Sequence, residues 1–321
     1  MLSVHLENGR VEVRKRPRPR RKPGHALIRL LCAGICNTDL ELQRGYYGFA
    51  GTPGHEFVGE VVDAETRDLV GRRVVGEINL ECGRCEWCRR GLGRHCPQRT
   101  VLGIVKQPGV FSEFFTLPER NLHVVPDSIS NERAVFAEPL AAACEILEQV
   151  RIPKGAPVAV LGDGKLGLLV AQVLQAHGAE VRLFGKHKEK MAIAQAVGVN
   201  TSLKPEGLFD WVVEATGSAP GLMQAVGMTR PRGTLILKST VHGTVALDTA
   251  PVVVNEITVV GSRCGRFEPA LKLLRAGKVR GDDMISARLP LSEAPQGFEL
   301  AARRGVLKVL LENRPLNPTS A

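Results

Sequence analysis

From Pro139 onward the chain alternates two textures. "PLAAACEILEQV" has helical spacing, and after it "APVAVLG", "EVRLFG", "FDWVVEATG" and "GTLILKS" are short apolar runs, with the helical "KLGLLVAQVLQAHG" and "KEKMAIAQAVG" between the first three. Continuously apolar strands are buried on both faces, and parallel neighbours need a crossover to connect them. The alternation therefore predicts an α/β unit, a doubly wound parallel sheet with helices on either side.

Inside that unit "VAVLGDGKLG" runs from a strand into Gly162-x-Gly164-x-x-Gly167, with Lys165 and Leu166 between the last two glycines and a helix behind them. In this context the glycines let the backbone approach a pyrophosphate, and the helix N-terminus favours its negative charge. A nicotinamide dinucleotide is the expected cofactor. The following strand, "EVRLFG", ends where an Asp or Glu would accept from the ribose hydroxyl of NAD. Here Gly185 is followed by Lys186, His187 and Lys188, so NADP is expected to be preferred, with NAD also admitted.

The first 135 or so residues read differently, as Gly- and Pro-punctuated β-type runs such as "HALIRLLC", "EFVGEVV", "RRVVGEI" and "FSEFFTL". At 321 residues the chain exceeds the usual size of one domain, so an irregular all-β unit followed by the α/β unit is expected. The N-terminus "MLSVHLENGR" carries no basic segment leading into an apolar core, and no run approaches the length of a membrane span. A cytoplasmic protein without membrane contact is expected. The net charge of +10 concentrates in "RKRPRPRRKP", which lacks the aromatics that stack on bases and reads as a solvated connection. Nucleic acid is not the expected partner.

Four of the eight cysteines fall within "ECGRCEWCRRGLGRHC", at Cys82, Cys85, Cys88 and Cys96. In a reducing compartment thiols so spaced are metal ligands before they are disulfides. Four thiolates close the shell of a zinc ion and leave no position for substrate, so a structural zinc lobe is expected over residues 81–97. The ferredoxin run would continue with three residues before the last Cys, against seven here. A zinc-ribbon module that binds nucleic acid is the alternative reading of the lobe.

A second set of donors is scattered: Cys36 in "GICNTD", His55 and Glu56 in "GTPGHEFVGEV", and Glu138 in "FAEPL". Singly these read as a small apolar residue, a core histidine and a helix cap. Together a thiolate, an imidazole and a carboxylate, with one position left for water, describe a catalytic zinc. Cys32, Cys144 and Cys264 read as packing residues.

At this point the chain resembles the zinc-dependent medium-chain dehydrogenase/reductase family over essentially its whole length. "GICNTD", "GHEFVGEV", the four-cysteine lobe, "EPL", "GDGKLG" and "EATG" occur in the family's order. The resemblance implies a GroES-like, mostly-β catalytic domain over 1–138, a Rossmann cofactor domain over 139–267, and a return to the first domain over 268–321. It implies Cys36 and His55 as catalytic zinc ligands, Glu138 as the third, and Glu56 as a ligand in some states or a group behind the metal. Asp39 would accept from the free nitrogen of His55, and Thr38 would be the first proton-relay group. Glu41 stands where the best-known alcohol dehydrogenases carry a relay histidine. Arg263 matches a position close to the nicotinamide, and Tyr46, Tyr47 and Phe49 are candidates for the substrate wall. The implied activity is hydride transfer between a secondary alcohol, polyol or sugar and the nicotinamide, in a homodimer or homotetramer with two zinc ions per chain. A catalytically retired homologue is the rival within the fold. The last residues, "NRPLNPTSA", are expected to fray.

Overall fold

The computed structural model describes residues 1–240 and 244–313. The expectation for the C-terminal tail thus falls, from residue 314 on, outside the described residues. The chain forms two compact units, one from Met1–Glu138 with Ile285 onward, the other from Pro139–Met284. The second unit extends further than the sequence suggested. The helix Phe267–Arg275, whose residues were expected from 268 on to belong to the return segment, is part of it. Gly265, just ahead of that helix, has no room for a Cβ, which would lie 2.0 Å from the Ala141 carbonyl oxygen. The helix thus starts packed on its own unit, and only the chain after Met284 returns.

The first unit is built on one sheet whose middle is the ten-residue strand His25–Gly34. Its buried residues are Ala, Leu, Ile, Cys and Gly, while Arg29 is exposed and pairs with Glu60 on the neighbouring strand. Strand Glu56–Asp63 runs antiparallel beside it, with Gly34 opposite Glu56. On the other side the returning strand Lys308–Glu312 pairs antiparallel, with Leu310 opposite Gly34. Segments from residues 34, 56 and 308 therefore meet at one end of a single sheet. The core beneath includes Ile28, Leu30, Phe111, Phe136 and Phe298, all buried. Phe111 and Phe298 meet edge to face with ring centroids 6.0 Å apart, an orientation that suits the ring quadrupoles. A hairpin, Leu2–Glu7 with Arg10–Lys15, takes up the start of the basic run and is tied to the unit by backbone hydrogen bonds of Val4 to Phe111 and Leu6 to Gly51.

The second unit is a six-stranded sheet, parallel throughout, in the order Asn200–Ser202, Glu180–Phe184, Pro157–Leu161, Phe209–Glu214, Thr229–Leu237, Thr258–Gly261. Strand Pro157–Leu161 sits inside and is followed by helix Lys165–His177, buried along most of its length. The chain leaves the sheet in opposite directions on either side of this strand, which puts the topological switch point at its carboxyl end. That is where the glycine loop lies.

Candidate metal centre and cofactor loop

Cys36 follows strand His25–Gly34 by two residues and caps helix Asn37–Gln43. His55 and Glu56 stand at the start of the paired strand. The register of these two strands brings the Cys36 thiol, a ring nitrogen of His55 and a carboxylate oxygen of Glu56 within 4.8 Å of one another. Asp39, fully buried, holds both strand ends: its Oδ2 accepts from the Cys36 backbone N–H at 2.8 Å and its Oδ1 from that of Gly54 at 3.1 Å. The expected hydrogen bond from His55 is not formed. Nδ1 lies 3.5 Å from Asp39 Oδ1 and makes no hydrogen bond, while each carboxylate oxygen accepts from a backbone amide. Asp39 therefore positions Cys36 and His55 through the backbone and acts on the His55 ring through its charge. Burial opposes a charged His55, but the Asp39 carboxylate and then Cys36 outweigh it and raise the imidazole well above its ordinary value.

Glu56 is bound from behind by Lys308 Nζ, and both side chains are almost wholly shielded from solvent. Gly34 lies between them, and a Cβ there would come within 2.6 Å of Glu56 Oε2 and 3.1 Å of Lys308 Cδ. A glycine is required for the pair to cross the sheet. Burial lowers the tendency of Lys308 to stay charged, but Glu56 first and Cys36 next raise it above its ordinary value. Lys308 Nζ also lies 5.7 Å from the centre of the Phe136 ring, two residues before Glu138. Glu138 sits in the first turn of helix Ala137–Gln149 and does not join the close group of Cys36, His55 and Glu56.

The four thiols of the lobe lie within 4.8 Å of one another. Sulfur separations are 4.0 Å for Cys82 and Cys88, 3.4 Å for Cys85 and Cys88, and 3.7 Å for Cys85 and Cys96. A tetrahedron with Zn–S bonds of about 2.3 Å has edges of roughly 3.8 Å, so the thiols fit a zinc ion. A short helix, Glu86–Arg89, presents Cys85 at its start and Cys88 inside it. Cys82 lies lower than usual, at about 6, chiefly through the Arg84 and Cys85 amides, while desolvation and Cys85 push Cys88 up to about 12.

The glycine loop fits a dinucleotide by a different observation. A Cβ on Gly162 would lie 2.5 Å from the Ala215 carbonyl oxygen, and one on Gly167 would lie 2.0 Å from the Gly162 oxygen, so both are packing glycines. Gly164, at the mouth of the following helix, would meet nothing. That open space above a helix N-terminus is what a pyrophosphate needs. On the neighbouring strand Glu214 is buried and accepts from the Thr216 amide and hydroxyl at 2.7 and 2.6 Å, which fixes the turn of "EATG".

Residues 22–127 match the alcohol dehydrogenase GroES-like domain, and residues 166–276 match the zinc-binding dehydrogenase domain. A D-altritol 5-dehydrogenase from Agrobacterium fabrum is 32% identical over 90% of this chain and 92% of its own length. The chain belongs to the zinc-type medium-chain dehydrogenase/reductase family. A sorbitol dehydrogenase from Halalkalibacterium halodurans is 29% identical over 97% of this chain and 98% of its own. Among solved structures, a Sinorhizobium meliloti protein assigned as a zinc-binding dehydrogenase and bound to NADP superposes with a TM-score of 0.89 at 30% identity, covering 97% of this chain and 98% of that one. This zinc-type dehydrogenase is thus an oxidoreductase that uses zinc and a nicotinamide cofactor, on a GroES-like unit and a Rossmann unit. No helix among the described residues is long and apolar enough to cross a membrane.

In this dehydrogenase, sequence reasoning missed three polar groups. For Lys308 the available signal is a lysine among apolar residues in "VLKVLLEN". Asp163 was an unremarked position within the glycine motif, yet its carboxylate reaches Lys186 and His187. Lys238, buried at the end of strand Thr229–Leu237, donates to Ser262 Oγ at 3.0 Å and to the Arg263 carbonyl at 2.7 Å. It thereby fixes the segment that carries Arg263, whose own side chain is exposed.

Proposed function

We propose that this dehydrogenase interconverts a secondary alcohol of a polyol or sugar with the corresponding ketone or aldehyde, preferring NADP(H) and accepting NAD(H). One zinc is held by Cys36, His55 and Glu138 with Glu56 behind them, and a second by Cys82, Cys85, Cys88 and Cys96. The observation that carries the reading is the convergence of Cys36, His55 and Glu56 at one end of the sheet. When bound, the catalytic zinc polarises the substrate oxygen and the nicotinamide exchanges the hydride.

The chain's own residues do the rest. Two anionic donors with a neutral imidazole match the charge of a divalent cation, and Lys308 compensates the extra carboxylate of Glu56. Thr38, whose Oγ1 lies 3.8 Å from Cys36 Sγ, acts as a relay, its hydroxyl taking the proton of a substrate hydroxyl as it passes its own on toward solvent. Glu41, in the place of a relay histidine, is engaged by Arg44 at 2.6 Å. Tyr46 and Tyr47, with ring centroids 4.1 Å apart and both exposed, supply with Phe49 a wall for a hydroxylated substrate. Polyol substrates are supported by the sorbitol and D-altritol dehydrogenases that the chain resembles. The basic Lys186, His187 and Lys188 after Gly185, and the NADP bound to the Sinorhizobium meliloti relative, support NADP(H).

The enzyme works as a homodimer or homotetramer in the cytoplasm. Strand Thr258–Gly261 is a sheet edge, and Val259 on it and Val253 and Val254 ahead of it are exposed, which suits pairing with a second copy. Eight free cysteines suit a reducing compartment.

The test is a panel of secondary alcohols, polyols and aldoses with NAD⁺ and NADP⁺ in parallel, together with a zinc count. Turnover with at least one polyol and two zinc ions per chain are expected. A protein that binds dinucleotide but oxidises nothing in the panel would be a retired homologue.

A further inference from the structure

Asp163 is a buried carboxylate that the proposed chemistry does not use. It occupies the first variable position of the Gly162–Gly167 loop and is 8% exposed. Its Oδ2 accepts from the backbone N–H groups of Lys186 and His187, both at 2.7 Å, and lies 3.0 Å from His187 Nδ1. These are the first residues beyond Gly185, where the sequence lacks the acid that would bind a ribose hydroxyl. The glycine at 185 and the aspartate at 163 are coupled by space. A Cβ at Gly185 would fall 2.6 Å from Asp163 Cβ and 2.7 Å from Oδ2. The strand end is therefore not without an acid. Its carboxylate arrives from the neighbouring loop and fills the volume that a side chain at 185 would take.

The bonding pattern shows what this carboxylate can still do. All three contacts converge on Oδ2, so among the described residues Oδ1 has no partner and can accept one more hydrogen bond. His187 Nε2 is likewise buried without a partner. An acid beside a ribose favours a hydroxyl and opposes a phosphate. Lys186, His187 and Lys188 act in the opposite sense.

We propose that Asp163 is the ribose-binding, specificity-determining carboxylate of the cofactor site, accepting from the adenosine ribose hydroxyl of NAD(H) and opposing the 2′-phosphate of NADP(H). It holds in check the preference that the basic residues after Gly185 confer. This rests on the proposed placement of the cofactor at the glycine loop.

The test is calorimetric titration of the zinc-loaded protein with NAD⁺ and with NADP⁺, for wild type, Asp163→Asn and Asp163→Ser. Removing the charge is expected to shift the affinity ratio toward NADP⁺ by about tenfold or more, through tighter NADP⁺ and weaker NAD⁺ binding. Gly185→Ala keeps the charge but displaces the carboxylate, and is expected to weaken NAD⁺; this variant keeps the proposal testable if both Asp163 variants fail to fold. Parallel weakening of both cofactors, an unchanged ratio, or a shift toward NAD⁺ would overturn the assignment. The wild-type ratio alone tests the NADP(H) preference, whereas Asp163 is judged only on the change between proteins.

Discussion

Lys308 Nζ donates to Glu56 Oε2 across Gly34, with side-chain exposures of 2% and 1%. Strand register alone brings them together, since Lys308 opens the strand that pairs with residues 32–34 and Glu56 opens the strand on the other side. Removing one member of a buried pair leaves the other charge without compensation, which costs about 3–5 kcal/mol. Lys308→Met is therefore expected to lower unfolding stability by that order in urea titrations. The double variant Lys308→Met with Glu56→Gln should recover most of the loss, because neither charge is then stranded. A double variant no better than the single would show that packing, not charge, was lost.

The glycine loop separates folding from binding at neighbouring residues. Gly167→Ala forces a Cβ against the Gly162 carbonyl oxygen, a backbone atom that cannot swing aside, so a loss of about 1–3 kcal/mol in stability is expected. Gly164→Ala has open space and an ordinary extended backbone, with φ of −76°, and loses only the preference for Gly over Ala at a helix N-cap, so its melting temperature should fall by less than that of Gly167→Ala. Its added methyl stands where the backbone would meet a pyrophosphate, and dinucleotide affinity should fall by tenfold or more, as read by calorimetry. Equal affinity in Gly164→Ala would remove the pyrophosphate from this loop.

Most of the second unit was legible because its strands are apolar on both faces and its helices fall between them, a pattern that admits few other folds. The four-thiol lobe was legible because its thiols lie within sixteen residues of sequence, so a short loop suffices to bring them together. The Glu56–Lys308 pair was not, since 252 positions separate its members and only the sheet register joins them. The bond partners of Asp39 were also hidden. A carboxylate near a histidine suggests a direct hydrogen bond, whereas here Asp39 accepts from the amides of Cys36 and Gly54 and the imidazole nitrogen stays 3.5 Å away. The end of the second unit was misplaced for a related reason. Amphipathic helix Phe267–Arg275 carries no sequence mark of which unit its apolar face covers.

The two thiol-containing sites should respond differently to single substitutions. Cys36→Ser removes one donor from the open site, so turnover should fall by about a thousandfold or more with one zinc lost and the fold retained. Cys96→Ser opens the closed shell, so one zinc is again lost but melting should fall as well, because a structural metal contributes folding free energy. With Cys88 up at about 12, zinc must displace its proton, so binding to the metal-free lobe should release protons and weaken as pH falls. Zinc analysis with melting curves and turnover on the same preparations separates the cases. Turnover surviving in Cys36→Ser would contradict the catalytic assignment.

Asp163 also makes a pH-dependent contribution to the second unit. Burial acts to raise its carboxyl, but the His187 and Lys186 amides and then the His187 ring outweigh it and hold the group below its ordinary value of 3.8. A carboxylate depressed in the folded state contributes stability that is fully present above its unfolded value and is lost as pH falls through its folded value. Asp163→Asn lacks the charge and cannot gain from ionisation. Wild type should therefore exceed Asp163→Asn by about 1–3 kcal/mol near neutral pH, and the gap should close below about pH 4. Urea unfolding of both proteins across this range reads the difference directly, and acid-induced zinc loss, common to both, cancels from it. A gap that stays constant on acidification would mean that the Asp163 contacts depend on shape and not on charge.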